Sequence, residues 1–335
     1  MILDNLRAFD ALTLAELEAV LDEHTRKPVP VNEYTAFSWS ASRHNLFARC
    51  KRQYYLNYYA PRRVRDRGNH PAIGAMWWLK QAVPLKVWIG AVVHDVAREA
   101  VLAYWEGAAL DVDEAVERAL RTFNAGVRAS RRGARFEGRW VVLQEHIYPP
   151  DDQRADWEGA EGTLEEMVEV LFDSDAYEAI LGLPPDAILE IDEPFQYMVF
   201  DETRVFAIPD VLLREDDVYH IIDWKTGDVG RREIRMQAGI YALYTHLKYG
   251  VTENDIVVSI ADLAGGGMSV QPPGGLPSLD ETAAFVRQSM ADMHALIENE
   301  QYHTAAIAKY PMADDLTLCQ SCNFRRACWR HEGTG

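Results

Sequence analysis

At 335 residues, with 48% hydrophobic and 26% charged side chains, the chain can bury a sizeable core in one elaborated domain or two. A formal charge of -18 argues against a generic polyanion binder, because long-range repulsion opposes a phosphate backbone. No run reaches the roughly 18 uninterrupted apolar residues of a spanning helix, and the N-terminal MILDNLRAFDALTLAELEAV carries acids where a signal peptide carries bases. The expectation is a cytoplasmic protein with no membrane partner. Thiols stay reduced there, so four cysteines read as metal ligands or free thiols rather than two disulfides.

In chain order, residues 11–24 (ALTLAELEAVLDEH) repeat leucine at helical spacing behind a threonine able to cap, which predicts a short helix. SWSASRHNLFARCKRQYYLNYY spaces Leu46, Cys50, Tyr54 and Tyr58 by four and reads as one amphipathic helix. The surrounding stretch holds eight bases (Arg43, Arg49, Lys51, Arg52, Arg62, Arg63, Arg65, Arg67) against Asp66 alone. That is either a solvated surface or a set of phosphate contacts for an otherwise acidic protein. Arg128, Arg131, Arg132, Arg135 and Arg139 form a second basic cluster.

WIGAVVHDVAREAVLAY, from Trp88 to Tyr104, places Val92, Val96 and Ala100 along one side of a helix with His94 displaced from it. Helices are expected to continue over 111–180, with breaks near Gly133 and the PPDD of 149–152. The texture then turns β-rich: AILEIDEPFQYMVF, RVFAIPDVLLRE and DVYHIIDWKT, separated by turn-like DE and DD pairs, predict a meander of adjacent strands. A helix through REIRMQAGIYALYTHLKY ends at Gly250, DIVVSIADL is a last strand, and 265–277 reads as a loop. ETAAFVRQSMADMHALIENE is a long helix. Strands, a crossing helix and a further strand indicate an α/β fold, a mixed β-sheet flanked by helices.

Chemistry concentrates at IPD (208–210) and DWKTG (223–227). Residues i and i+2 of a strand share a face, so Asp223 and Lys225 point the same way. Two carboxylates on neighbouring strands repel unless a cation intervenes, and Mg²⁺ or Mn²⁺ takes oxygen ligands of this kind. Alone, the pattern is better explained by a strand-end salt bridge between Asp223 and Lys225. The tail CQSCNFRRAC supplies Cys319, Cys322 and Cys328, with Cys50 as the distant fourth thiol. Tetrahedral S₄ suits either zinc or an iron-sulfur cluster.

These residues resemble the PD-(D/E)xK superfamily, in particular its RecB-like branch, which includes helicase-nuclease domains and the CRISPR-associated Cas-four exonucleases. The resemblance rests on CKRQYYLNYY, Gly90 to His94, Pro209-Asp210, Asp223-Trp224-Lys225, and Gln237 with Tyr241, in the family's order. It spans the N-terminal helix, 88–100, 186–262 and the tail, and leaves 101–180 uncovered; Ala207 stands where many relatives carry glycine. The resemblance implies a restriction-endonuclease-like core with a helical insertion and a cysteine-clasped subdomain. It divides the chain into an N-terminal helical region (1–87), the His94 helix (88–104), the insertion (105–183), the nuclease core (184–300) and an iron-sulfur tail (301–335).

It implies that His94, Asp210, Asp223 and the Trp224 carbonyl ligate Mg or Mn, that Lys225 serves the attacking water, and that Gln237 and Tyr241 belong to the catalytic set and face the DNA backbone or the scissile phosphate. Glu190 stands as an accessory acid. Cys50, Cys319, Cys322 and Cys328 would hold a [4Fe-4S] cluster, with zinc as the alternative. Arg49, Lys51, Arg52, Arg325 and Arg326 would contact DNA. The activity implied is a metal-dependent exonuclease on single-stranded ends, in DNA repair, CRISPR adaptation or phage defence; a catalytically silent binding or assembly module of the same fold is the alternative. No GxxxxGK[ST] motif occurs, so unwinding would come from a helicase or CRISPR adaptation partner.

Overall fold

Residues 6–28, 31, 36–63, 69–148, 156–193, 195–227, 230–299 and 301–328 are described by a computed structural model. The first long helix, α1 (Leu14–Thr25), begins where the sequence predicts. The Thr13 side chain accepts the Glu16 N–H while the Glu16 carboxylate accepts the Thr13 N–H, a reciprocal cap over two otherwise unpaired donors. The next segment departs from the single helix expected. It forms strand β1 (Ser38–Ser40), α2 (Ala41–Arg49) and α3 (Lys51–Tyr58), broken at Cys50. Cys50 is extended (φ -159°, ψ 112°), ends α2, and caps α3 by accepting the Gln53 N–H on Sγ at 3.4 Å. Four-residue spacing runs straight through one extended residue, so periodicity alone does not register the break.

Helices α4 (Pro71–Gln81), α5 (Leu85–Trp105) and α6 (Val112–Arg132) follow, α6 closing on Gly133 in the left-handed region at φ 64°. Where helix was expected beyond Gly133, 135–136 and 139–140 form a small hairpin, and 142–143 pair in parallel with 82–83. The PPDD of 149–152 lies outside the described residues. Two further helices, α7 (Trp157–Phe172) and α8 (Asp175–Leu181), complete this half. Among the described residues no helix is long and apolar enough to cross a membrane.

The three β-rich runs become five strands: β2 (Ile188–Ile191), β3 (Tyr197–Phe200), β4 (Thr203–Phe206), β5 (Val211–Glu215) and β6 (Val218–Lys225). They do not form one meander. The DE pair turns β3 into β4 with Asp201 and Glu202 both at positive φ (45° and 62°), the backbone of a two-residue hairpin turn. That hairpin leaves the main sheet and pairs with β1. The main sheet adds β7 (Ile256–Asp262) and β8 (Ser269–Val270) in the order β8-β7-β6-β5-β2. β6 runs antiparallel to β5 and parallel to β7, joined to the latter through helix α9 (Arg231–Tyr249). The last long helix is α10 (Leu279–His294).

Strand alternation sorts the core into two layers. Leu212, Tyr219, Ile221, Val258 and Ile260 face a cluster built with α9, α10 and the N-terminal helices. Val211, Leu213, Ile222, Trp224 and Ala261 face a second cluster built with α5, α6 and α7. The result is the α/β architecture expected of a restriction-endonuclease-like core, a mixed sheet flanked by helices on both faces.

Candidate active site

The antiparallel register of β5 on β6 pairs Val211 with Ile222, so the next pair along is Asp210 with Asp223. The side chain of Asp210 continues the ladder, its Oδ2 accepting the Trp224 N–H at 2.7 Å. On its other side the Asp210 carbonyl accepts the Asp192 N–H at 2.9 Å, just past the end of β2. Three aspartates therefore come from three adjacent strands: Asp192 just after β2, Asp210 just before β5 and Asp223 near the end of β6. From α5, His94 approaches with Nδ1 3.2 Å from Asp210 Oδ1. A Cβ at Gly90 would lie 2.5 Å from Thr226 Oγ1, so glycine is what lets α5 close on the end of β6.

On the opposite side of Asp223 the groups close a ring. Lys225 Nζ lies 2.6 Å from Asp223 Oδ2 and donates to Gln237 Oε1 at 2.8 Å. Gln237 Nε2 donates to the Tyr241 hydroxyl at 2.7 Å, and that hydroxyl donates to Asp223 Oδ1 at 3.0 Å. Gln237 and Tyr241, one turn apart on α9, are thus bonded to Lys225 and Asp223, and both also line a cleft beside the site. Tyr241 is buried.

Electrostatics follow from this burial. Asp223, 2% exposed, has its carboxyl pushed up by burial, against the pull of Lys225 and with the added repulsion of Asp210. Burial disfavours the His94 imidazolium, yet the charge and hydrogen bond of Asp210 leave its pKa above the ordinary value. Burial and the nearby Asp210 raise Asp192 as well. Asp223 Oδ2 is paired with Lys225 Nζ at 2.6 Å, a buried oxygen whose one partner is an ammonium and which has the charge of Asp210 nearby. Two neighbouring carboxylates that repel each other, one of them buried, are the donor chemistry a hard divalent cation takes. Among the described residues no three His, Cys, Asp or Glu side chains stand together as an ion-holding group; Lys225, Tyr241, His94 and the Trp224 N–H occupy the aspartate oxygens.

Glu190, expected as an accessory acid, serves the fold. It is buried and accepts from Lys248 Nζ and the Tyr244 hydroxyl, at 2.7 and 2.8 Å, and from Tyr249 and Gln196, which sutures β2 to α9. The acid beside the site is Asp192. Simple alternation puts both on one face, but a register shift between Ile188 and Glu190 and a positive φ of 35° at Asp192 break that pattern.

The chain ends meet at the cysteines. Arg49 Nη2 donates to Ser321 Oγ at 3.2 Å and Gln53 Nε2 to Asn323 Oδ1 at 3.0 Å, on either side of Cys50 and Cys322. Burial pushes the Cys322 thiol up to about 11 and Cys328 up to about 12, with the neighbouring cysteines, Cys50 and Cys319 among them, adding to both.

The basic segment divides. Arg43 donates to the Tyr54 hydroxyl and to the Ser38 carbonyl at 2.7 Å; Arg52 donates to the Tyr310 carbonyl at 2.7 Å and pairs with Glu18. Both are buried, so Arg52 is corrected from a DNA contact to a core tether whose planar fork satisfies carbonyl and carboxylate oxygens. Arg49 and Lys51 stay exposed. Arg325 lies 3.6 Å from the centroid of the Tyr148 ring and Arg326 pairs with Asp10 at 2.8 Å. Arg65 and Arg67 lie outside the described residues.

A family model described as the PD-(D/E)XK nuclease superfamily matches residues 38–329. No curated protein matches the chain.

Proposed function

The chain belongs to the PD-(D/E)XK nuclease superfamily, and from that premise we propose that it is a Mg²⁺- or Mn²⁺-dependent deoxyribonuclease acting as an exonuclease on single-stranded ends. The observation that carries this reading is the β5–β6 register, which sets Asp210 opposite Asp223 with Lys225 two residues on. Asp210, Asp223, His94 and the Trp224 carbonyl would hold the ion. Such an ion, when bound, polarises a phosphate oxygen and lowers the pKa of water.

The protein's own groups do the rest. Lys225, held by Gln237, presents an ammonium to the attacking water or to charge developing on the phosphate. Tyr241 fixes Asp223 through Oδ1, and Oδ2, paired with Lys225, is the oxygen that would turn to a cation. Cys50, Cys319, Cys322 and Cys328 are the proposed ligands of a [4Fe-4S] staple of the RecB-like kind, with zinc as the rival, within a tail that begins near 301; the bonds of Arg49 to Ser321 and of Gln53 to Asn323, which bring the Cys50 segment to the tail, support this. Arg49, Lys51, Arg325 and Arg326, at this seam, are the proposed backbone contacts. Unwound DNA would come from a helicase or CRISPR adaptation partner.

The test is cleavage of labelled single-stranded DNA with Mg²⁺, Mn²⁺ or EDTA. Asp223→Ala is expected to fall to background with the fold intact. Lys225→Ala is expected to lose roughly 10²–10⁴ in rate while still binding Mn²⁺, because it acts on water or charge and is not a ligand. Wild-type rates in both variants would overturn the assignment.

A further inference from the structure

The smaller sheet has one face that the fold leaves uncovered. On β1, β4 and β3, Trp39, Val205, Met198 and Phe200 point into the core. The opposite side of the β3–β4 pair carries Tyr197 across from Phe206 and Val199 across from Arg204. Tyr197 is 46% exposed, Val199 64%, and Phe195, just before β3, 80%. Single exposed apolar residues are ordinary, but a contiguous set signals a ligand surface.

These side chains are arranged as a stacking surface. The Tyr197 and Phe206 rings meet edge-on at 5.8 Å, and the Arg204 guanidinium lies 5.7 Å from the Tyr197 ring centroid. Among the described residues no carboxylate pairs with Arg204. Outward rings beside one guanidinium suit unstacked bases and their phosphates, whereas a duplex keeps its base faces to itself. The surface is continuous with the site above. A cleft of about 550 Å³ runs from Phe195 and Phe206 past Asp192 to Gln237 and Tyr241.

We propose that this sheet face is a platform for single-stranded nucleic acid, on which bases stack against Tyr197, Phe206 and Phe195 while Arg204 meets a phosphate, and from which the strand enters the cleft at Gln237. The direction of travel rests on the nuclease reading; the binding does not.

The experiment uses the full chain in EDTA, with a fluorescein-labelled oligothymidylate and a blunt duplex as probes, read by fluorescence anisotropy. The Phe195→Ala, Tyr197→Ala double variant is expected to bind the single strand at least about tenfold more weakly and the duplex unchanged, with an unaltered circular dichroism spectrum. Tyr197→Trp, which keeps a ring, is expected to retain affinity. Single-strand affinity within about twofold of wild type, or an equal loss on duplex, overturns the platform. So does altered sedimentation at unchanged DNA affinity, which would make the face an interface between proteins. Ring-dependent binding without cleavage in Mg²⁺ or Mn²⁺ leaves the platform standing and removes the nuclease reading alone.

Discussion

The Trp224 N–H donates to Asp210 Oδ2 across 2.7 Å, so a side chain takes over where the backbone ladder between β5 and β6 stops. That bond aims one aspartate at the end of the strand carrying the other. Its neighbours fix what each group can do, and they make the site open to single-atom tests.

Tyr241→Phe deletes the hydroxyl that links Gln237 to Asp223. Asp223 Oδ1 then loses its donor in a buried setting, and the fold is expected to lose about 1–3 kcal/mol in urea denaturation. The hydroxyl also pulls the Asp223 pKa down, so its loss moves that pKa further up. The acidic limb of the cleavage rate profile is expected to shift to higher pH; an unmoved limb would show that Asp223 ionisation does not control the rate.

Gly90→Ala tests the closure of α5 on β6. Alanine favours a helix over glycine by roughly 0.5–1 kcal/mol, but a Cβ 2.5 Å from Thr226 Oγ1 costs about 1–3 kcal/mol in overpacking, so the clash wins. The variant is expected to be less stable and slower. Adding Thr226→Ala removes the clashing oxygen and is expected to restore the thermal midpoint.

Glu190→Gln separates scaffold from site. Burial alone would raise the Glu190 pKa, but its bonds from Lys248, Tyr249, Gln196 and Tyr244 leave it below 4.5. A depressed carboxylate pKa contributes stability that is present above 4.5 and lost as pH falls through the folded value. Glu190→Gln is therefore expected to be less stable than wild type at neutral pH, with the gap closing in acid. Chemical denaturation across that range measures it, and a gap independent of pH would contradict the assignment.

Cys50→Ser tests the proposed staple. Protein purified anaerobically is expected to be brown and to carry iron and sulfide, and Cys50→Ser is expected to lose them as fully as Cys322→Ser. Colourless protein with stoichiometric zinc would select the other metal.

What the sequence determined by itself was periodic or local. Alternation put Asp223 and Lys225 on one face, the capping threonine and Gly250 marked helix ends, and the DE and DD pairs marked turns. Strand and helix periods report which way a residue points within its own element, and these features depend on nothing else. Only the tertiary structure decided what stands opposite. It turned Gln237 and Tyr241 onto Lys225 and Asp223, buried Arg43 and Arg52 against carbonyls, gave Glu190 to α9 and brought Asp192 beside Asp210. It also drew β3 and β4 out of the main sheet. A charge or a polar tip is satisfied by whichever partner packing brings within about 3 Å, and that partner comes from distant segments whose pairing no local pattern encodes.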